Sequence, residues 1–231
     1  MIFRKLLLLT FFTYIPLLFA QEQKVYFEDA LSQHLTKFNI KSDLAIKNQR
    51  PNEVDVLFDT LIKTHLRNTY ISDLKLKKIS GGILNTAQVD KPFLLITKNA
   101  AIIQTKEEIK TINDLANEYN GKVDIIILYW SKKDIAKKKA RHFNKNVTVV
   151  YADERHNKFN QALSAFKHSF GAPAGFYINQ YKQISDIDRK FFLKNVNTLT
   201  KELFTEKAHK GIFELLASQN DTAQYKVTKD R

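Results

Sequence analysis

Residues 92–130 read PFLLITKNAAIIQTKEEIKTINDLANEYNGKVDIIILYW, and the changes of pattern within them set the fold class. Pro92 introduces Phe93-Leu94-Leu95-Ile96, a short apolar run bounded by polar residues and so a strand. Thr105-Lys106-Glu107-Glu108 has the form of a capping box, in which the Thr hydroxyl and a Glu carboxylate satisfy each other's exposed backbone N–H groups. The helix it opens carries Ile109, Ile112, Leu115 and Tyr119 on one face and stops at Asn120-Gly121. Val123 to Trp130 follows, with a continuous apolar centre from Ile125 to Leu128 that suits a strand covered on both faces. Two buried strands joined by a helix form a parallel crossover unit.

The pattern continues downstream. Ser131 to Phe143 reads as a short basic helix with Ile135, Ala136, Ala140 and Phe143 inward, and Val147 to Tyr151 as another buried strand. A further helix displays Phe159, Ala162, Leu163, Phe166 and Phe170 before Gly171. After Pro173, strands at Phe176–Ile178 and Lys182–Ile184 flank a polar turn near Asn179-Gln180, a link too short for anything but an antiparallel hairpin. A last helical stretch carries Phe192, Val196, Leu199, Leu203 and Phe204, and residues 207–231 read as a helical end and a polar tail. Upstream, Leu74 and Leu76, the Gly81-Gly82 turn and Ile83-Leu84 make a hairpin. Residues 21–70 are amphipathic helix, with stripes at Phe27, Ala30, Leu31, His34, Leu35, Phe38 and at Phe58, Leu61, Ile62, His65, Leu66, broken near Pro51. The expectation is an α/β protein: a mixed sheet with helices on both faces over 71–206, plus a small N-terminal helical extension over 21–70.

This order resembles the thioredoxin fold, and within it the exported thiol–disulfide oxidoreductases of the TlpA and redoxin type. Lys91 to Ile96 looks like that family's first central strand, and Glu107-Glu108-Ile109 is similar to the start of its active-site helix. Gly171-Ala172-Pro173-Ala174-Gly175-Phe176-Tyr177-Ile178-Asn179 looks like its cis-proline loop and the strand after it. The resemblance implies that the two cysteines of the C-x-x-C motif would fall at Ile102 and Thr105. It also implies that Ala172 and Pro173 border a backbone edge where an extended partner segment could pair. A plainer reading is that Gly171, Pro173 and Gly175 make a tight link, and that Thr105 is only a helix cap.

The 231 residues contain no cysteine. Thiol–disulfide exchange needs one thiolate to attack and another to resolve, so that chemistry is excluded wherever the register falls. Thiolate metal sites, disulfide staples and an N-terminal lipid-modified cysteine go with it. Residues 1–20 have the layout of a secretory signal peptide: Arg4 and Lys5, an apolar run from Leu6 to Phe19, and Ala20 before polar Gln21. The run contains Pro16 and is shorter than the roughly 20 residues a membrane-spanning helix needs. The expectation is export, to a periplasm or the exterior, with no transmembrane segment in the mature chain.

Other chemistry is sparse. The six histidines show no metal-binding spacing, and no metal or other cofactor is expected. His34 and His65 sit on apolar stripes, open either to a shared ligand or to plain packing. Asp153, Glu154 and His156 follow a buried strand where α/β sheets often bind ligands, and could act as base or metal ligand, or simply begin a solvated helix. Ser164 and Ser169 have no evident base. The net charge of +13 is concentrated at Lys132, Lys133, Lys137, Lys138, Lys139, Arg141 and Lys145, a run suited to an anionic polymer or membrane surface or to plain solvation. No aromatic residues interleave with it to stack bases, so nucleic acid is not expected. The leading expectation is a redox-inactive binder of an extended polypeptide through Ile102, Thr105, Ala172 and Pro173, with no catalytic residue assigned. The second is an anion-binding module on the 132–145 helix, and the third an enzyme using Asp153, Glu154 and His156.

Overall fold

A computed structural model of the chain describes residues 24–153, 155–157, 160–167, 174–189 and 205–217. Among these residues seven strands, β1 (Lys75–Lys78), β2 (Ile83–Asn85), β3 (Phe93–Asn99), β4 (Asp124–Trp130), β5 (Val147–Ala152), β6 (Ala174–Ile178) and β7 (Ile184–Asp188), form one sheet. Their order is β2-β1-β5-β4-β3-β6-β7. β3, β4 and β5 are parallel, while the β1–β2 hairpin and the β6–β7 hairpin flank them antiparallel.

Both crossovers lie on one face of the sheet. Helices α3 (Lys106–Glu118) and α4 (Lys133–Ala140) bury Ile112, Leu115, Ala116, Ala136 and Ala140 against Leu94, Ile96, Ile125 and Ile127, together with Ala208, Ile212 and Leu215 of α6, the helix over 205–217. The other face carries Phe93, Leu95, Ile126 and Leu128, as the two-residue period of strands requires. It is covered by α1 (Phe27–Lys47), α2 (Pro51–Leu61), the wider turn Ile62–Leu66 and the short α5 (Gln161–Ser164). Helices on both faces and a mixed sheet are what the sequence implied.

The N-terminal helices belong to this core. Phe27 is wholly buried, its ring 5.2 Å from Phe166 and 5.8 Å from Phe176 of β6. Pro51 occupies the first turn of α2, where its missing N–H costs nothing. The break between α1 and α2 is closed by Gln49 at φ 58°.

Two expectations need correction. Ile135 is exposed (46%), not inward. Ala136 and Ala140 define the buried stripe of α4, and one residue at 100° of turn carries Ile135 off it. The second strand of the last hairpin is Ile184–Asp188, because Asn179 Oδ1 accepts from the Tyr181 and Gln183 N–H groups and extends the turn through Lys182. The helix expected over 159–170 is described only at Gln161–Ser164, capped by Asn160. Phe159, Phe170 and the stretch from Phe192 to Phe204 lie outside the described residues, and the last described helix is 205–217.

Candidate functional site

β3 ends at Asn99 and α3 begins at Lys106, so the loop between them lies at the carboxyl ends of the parallel strands, where open α/β sheets place ligands. It is held by its own polar atoms. Asn99 Oδ1 accepts from the Ala101 N–H at 2.9 Å, and the Ile102 N–H donates to the Asn99 carbonyl at 3.0 Å. Thr105 caps α3: its hydroxyl accepts from the Glu108 N–H at 3.1 Å. Thr105 is exposed and Ile102 half-buried, while Ile103 between them is 69% exposed.

The capping box is only half formed. The Glu108 carboxylate does not turn back to the Thr105 N–H; it is buried and paired with the Lys98 ammonium. Lys98 follows Leu94 and Ile96 at two-residue spacing, so it points from β3 into the core face beneath α3, and its side chain is 2% exposed. Burial, then the neighbouring charge of Lys139, push its ammonium down to about 7. Tyr129, opposite Lys98 in the β3–β4 register, is also wholly buried, and burial raises its phenol against a smaller opposing effect of Gln104. Sequence reading missed this buried pair. The signal was present in Lys98 two positions beyond an apolar strand and Glu108 at the third helical position, but the capping-box pattern accounted for Glu108 in another way.

The basic helix touches the same loop. Lys139 Nζ donates to the Ile102 carbonyl at 3.2 Å, so the structure joins Ile102 and Thr105 to one member of the lysine run. Lys132, Lys133, Lys137, Lys138 and Arg141 are exposed. Ala172 and Pro173 lie outside the described residues. Ala174, the next described residue, pairs with Thr97, whose hydroxyl donates to its carbonyl at 3.3 Å. The start of β6 therefore runs beside the end of β3.

Asp153 and His156 lie elsewhere, in a local turn after β5, and Glu154 is outside the described residues. Asp153 Oδ1 accepts from the Arg155 N–H at 3.1 Å, which keeps its carboxyl below the usual range; His156 Nδ1 stands 3.4 Å from Oδ2, with its side chain 78% exposed. His34 and His65 do meet: their rings stack with centroids 3.6 Å apart and planes within 9°. Nearly parallel rings aim their in-plane lone pairs along separate planes, so this stack does not converge on one ion. Among the described residues no group of three or more potential ligands is placed to hold a metal, and no helix is long and apolar enough to cross a membrane.

No family model matches the chain, and no curated protein matches it. Among solved structures it is similar to a protein assigned as the thiol:disulfide interchange protein DsbE of Chlorobium tepidum, with 14% identity, 65% of this chain and 97% of that one covered, and a TM-score of 0.50. It is also similar to a hypothetical protein of Sinorhizobium meliloti 1021, with 10% identity, coverage of 67% and 86%, and a TM-score of 0.51. Likeness at these identities speaks to the fold, which is thioredoxin-like; the C-x-x-C cysteines of the implied family are absent from this sequence.

Proposed function

We propose that the protein is an exported thioredoxin-like factor that binds a partner polypeptide of the cell envelope non-covalently. The observation that carries this reading is the loop between β3 and α3, which lies at the carboxyl edge of the sheet and includes Ile102 and Thr105, the positions at which the resemblance implies the two cysteines. A cysteine at a helix N-terminus is useful because the helix dipole stabilises its thiolate. Here the free N–H of Glu108 is given to the Thr105 hydroxyl instead, which makes the helix start a stable surface feature. Export rests on residues 1–20 and the partner edge on Ala172 and Pro173, both as read from the sequence.

The test has two arms. In an insulin-reduction assay with dithiothreitol the protein is expected to add nothing to the uncatalysed rate, and turnover would overturn the reading. Binding of extended peptides, measured by fluorescence anisotropy, is expected to weaken on Pro173→Ala; unchanged affinity removes that loop from the site. The rival reading, an anionic-polymer module on the 132–145 helix, predicts heparin retention that falls steeply with salt and is lost when the lysines at 137–139 become Gln.

A further inference from the structure

The exposed side chains at the carboxyl end of the sheet point to the chemistry of the partner. Ile103 at the tip of the β3–α3 loop is 69% exposed, and Ile135 in the first turn of α4 is 46% exposed. The Lys139 hydrogen bond to the Ile102 carbonyl identifies the flank of α4 that faces this loop. Ile135 is one turn earlier on the same flank, toward the end of α4 that starts at the carboxyl edge of β4. The two isoleucines therefore belong to one surface, on which neither is covered.

That surface is also positive. Lys106 opens α3, and Lys132 and Lys133 are the cap and first residue of α4; all three are exposed, and Lys139 stands half-buried behind Ile102. Glu107 and Asp134 offset part of this charge. Lysine at a helix start opposes the dipole, which favours carboxylates there, and Lys132 supplies no side-chain cap to α4. Breaks of a local rule are expected at functional or strained sites, and this one lies at an exposed edge of the sheet. A second copy of the chain would bring lysine against lysine, which disfavours self-association through this face.

We propose that this surface, running from Ile103 across to Ile135 and framed by Lys106, Lys132, Lys133 and Lys139, docks an acidic polypeptide segment that carries apolar side chains between its carboxylates. The inference rests on the polypeptide-binding reading above and specifies its partner. The carboxylates lie against the lysines and helix starts, and an apolar side chain covers Ile103 and Ile135.

The probe is a fluorescein-labelled peptide of about twelve residues in which Asp and Glu alternate with Leu and Phe, titrated with the full chain. A matched peptide with Asn and Gln for the acids is expected to bind about tenfold or more weakly. Ile103→Ser, and separately Lys132→Gln with Lys133→Gln, are expected to weaken the acidic peptide by about tenfold each; these exposed positions leave the fold intact, checked by circular dichroism. Equal binding of acidic and neutral peptides overturns the inference. So does acidic-peptide binding that survives these changes and falls only on Pro173→Ala, a result that leaves the broader reading standing. Failure of every peptide to bind takes down the broader reading itself. Heparin or anionic vesicles bound through the lysines, with no effect of Ile103→Ser, would overturn the inference in favour of a charged surface.

Discussion

Glu108→Leu fills the space of the Glu108 side chain with hydrocarbon and removes the carboxylate that faces Lys98 beneath α3. Both side chains are almost fully buried, at 2% and 8% exposure. In the parent the amine sits at about 7, so half of it is charged at pH 7, and what the charged pair supplies over a neutral amine grows toward about 1.4 kcal/mol for each further pH unit below that value. Without the carboxylate the buried amine stays neutral. The variant is therefore expected to lose about 0.4 kcal/mol at pH 7, about 1.4 kcal/mol at pH 6 and almost nothing at pH 9 relative to the parent. Lys98→Met with Glu108→Leu is expected to return to within about 1 kcal/mol of the parent, since packed hydrocarbon replaces an ion pair at little net cost. Guanidinium unfolding followed by the single tryptophan, Trp130, which is 6% exposed at the end of β4, reads all three proteins. A Glu108→Leu effect that is the same at pH 6 and pH 9 would refute the buried charged pair.

Three further measurements probe the rest of the frame. Phe27→Ala should cost about 3–5 kcal/mol in the same unfolding assay, as a buried aromatic does; a surface-like loss would show that α1 is not part of the sheet's core. Gly211→Ala places a methyl 2.5 Å from the buried Tyr177 ring and should cost about 1–3 kcal/mol, with relief by Tyr177→Leu in the double variant and none if the contact is not made. His65, exposed but stacked on His34, is held below its ordinary value of 6.5 by partial loss of hydration, then by the charges of His34 and Lys37. The unfolded chain therefore binds its proton more readily, and the contribution is present above pH 6.5 and lost as pH falls from there through the lower folded value. His65→Gln should flatten that limb of the pH–stability curve, and an unchanged curve would show that the stack has no energetic role.

The central strands and the α3 start were legible because their signals are local. A continuous apolar run gives a strand covered on both faces, and Thr105 three residues before Glu108 gives a cap. What was not legible depends on partners distant in sequence. Ile135 looked like core because it is apolar beside Ala136, but only the packing of α4 on β4 and β5 decides which face is inside. The stripe of α6 at Ala208, Ile212 and Leu215 falls in a stretch whose polar composition masks it. Glu108 was assigned to the capping box and Lys98 to nothing; their burial follows from the register that sets Lys98 opposite Tyr129 and beneath α3.

The same dependence on tertiary placement bears on function. In the sequence, Ile102 and Thr105 on one hand and the lysine run on the other supported competing readings, a polypeptide edge and an anionic-surface module. Two parallel crossovers of the same hand start α3 and α4 at one edge of the sheet, and Lys139 then ties the basic helix to the Ile102 carbonyl. On the proposed reading, a ligand reaching the β3–α3 loop meets lysines, and an anion reaching Lys132 and Lys133 passes exposed isoleucines. A purely electrostatic partner leaves Ile103 and Ile135 in water, and a purely apolar one strands the lysines. Only a chain that alternates the two kinds of side chain satisfies both at once, which is why the charge and apolarity of the peptide are varied separately in the binding experiment.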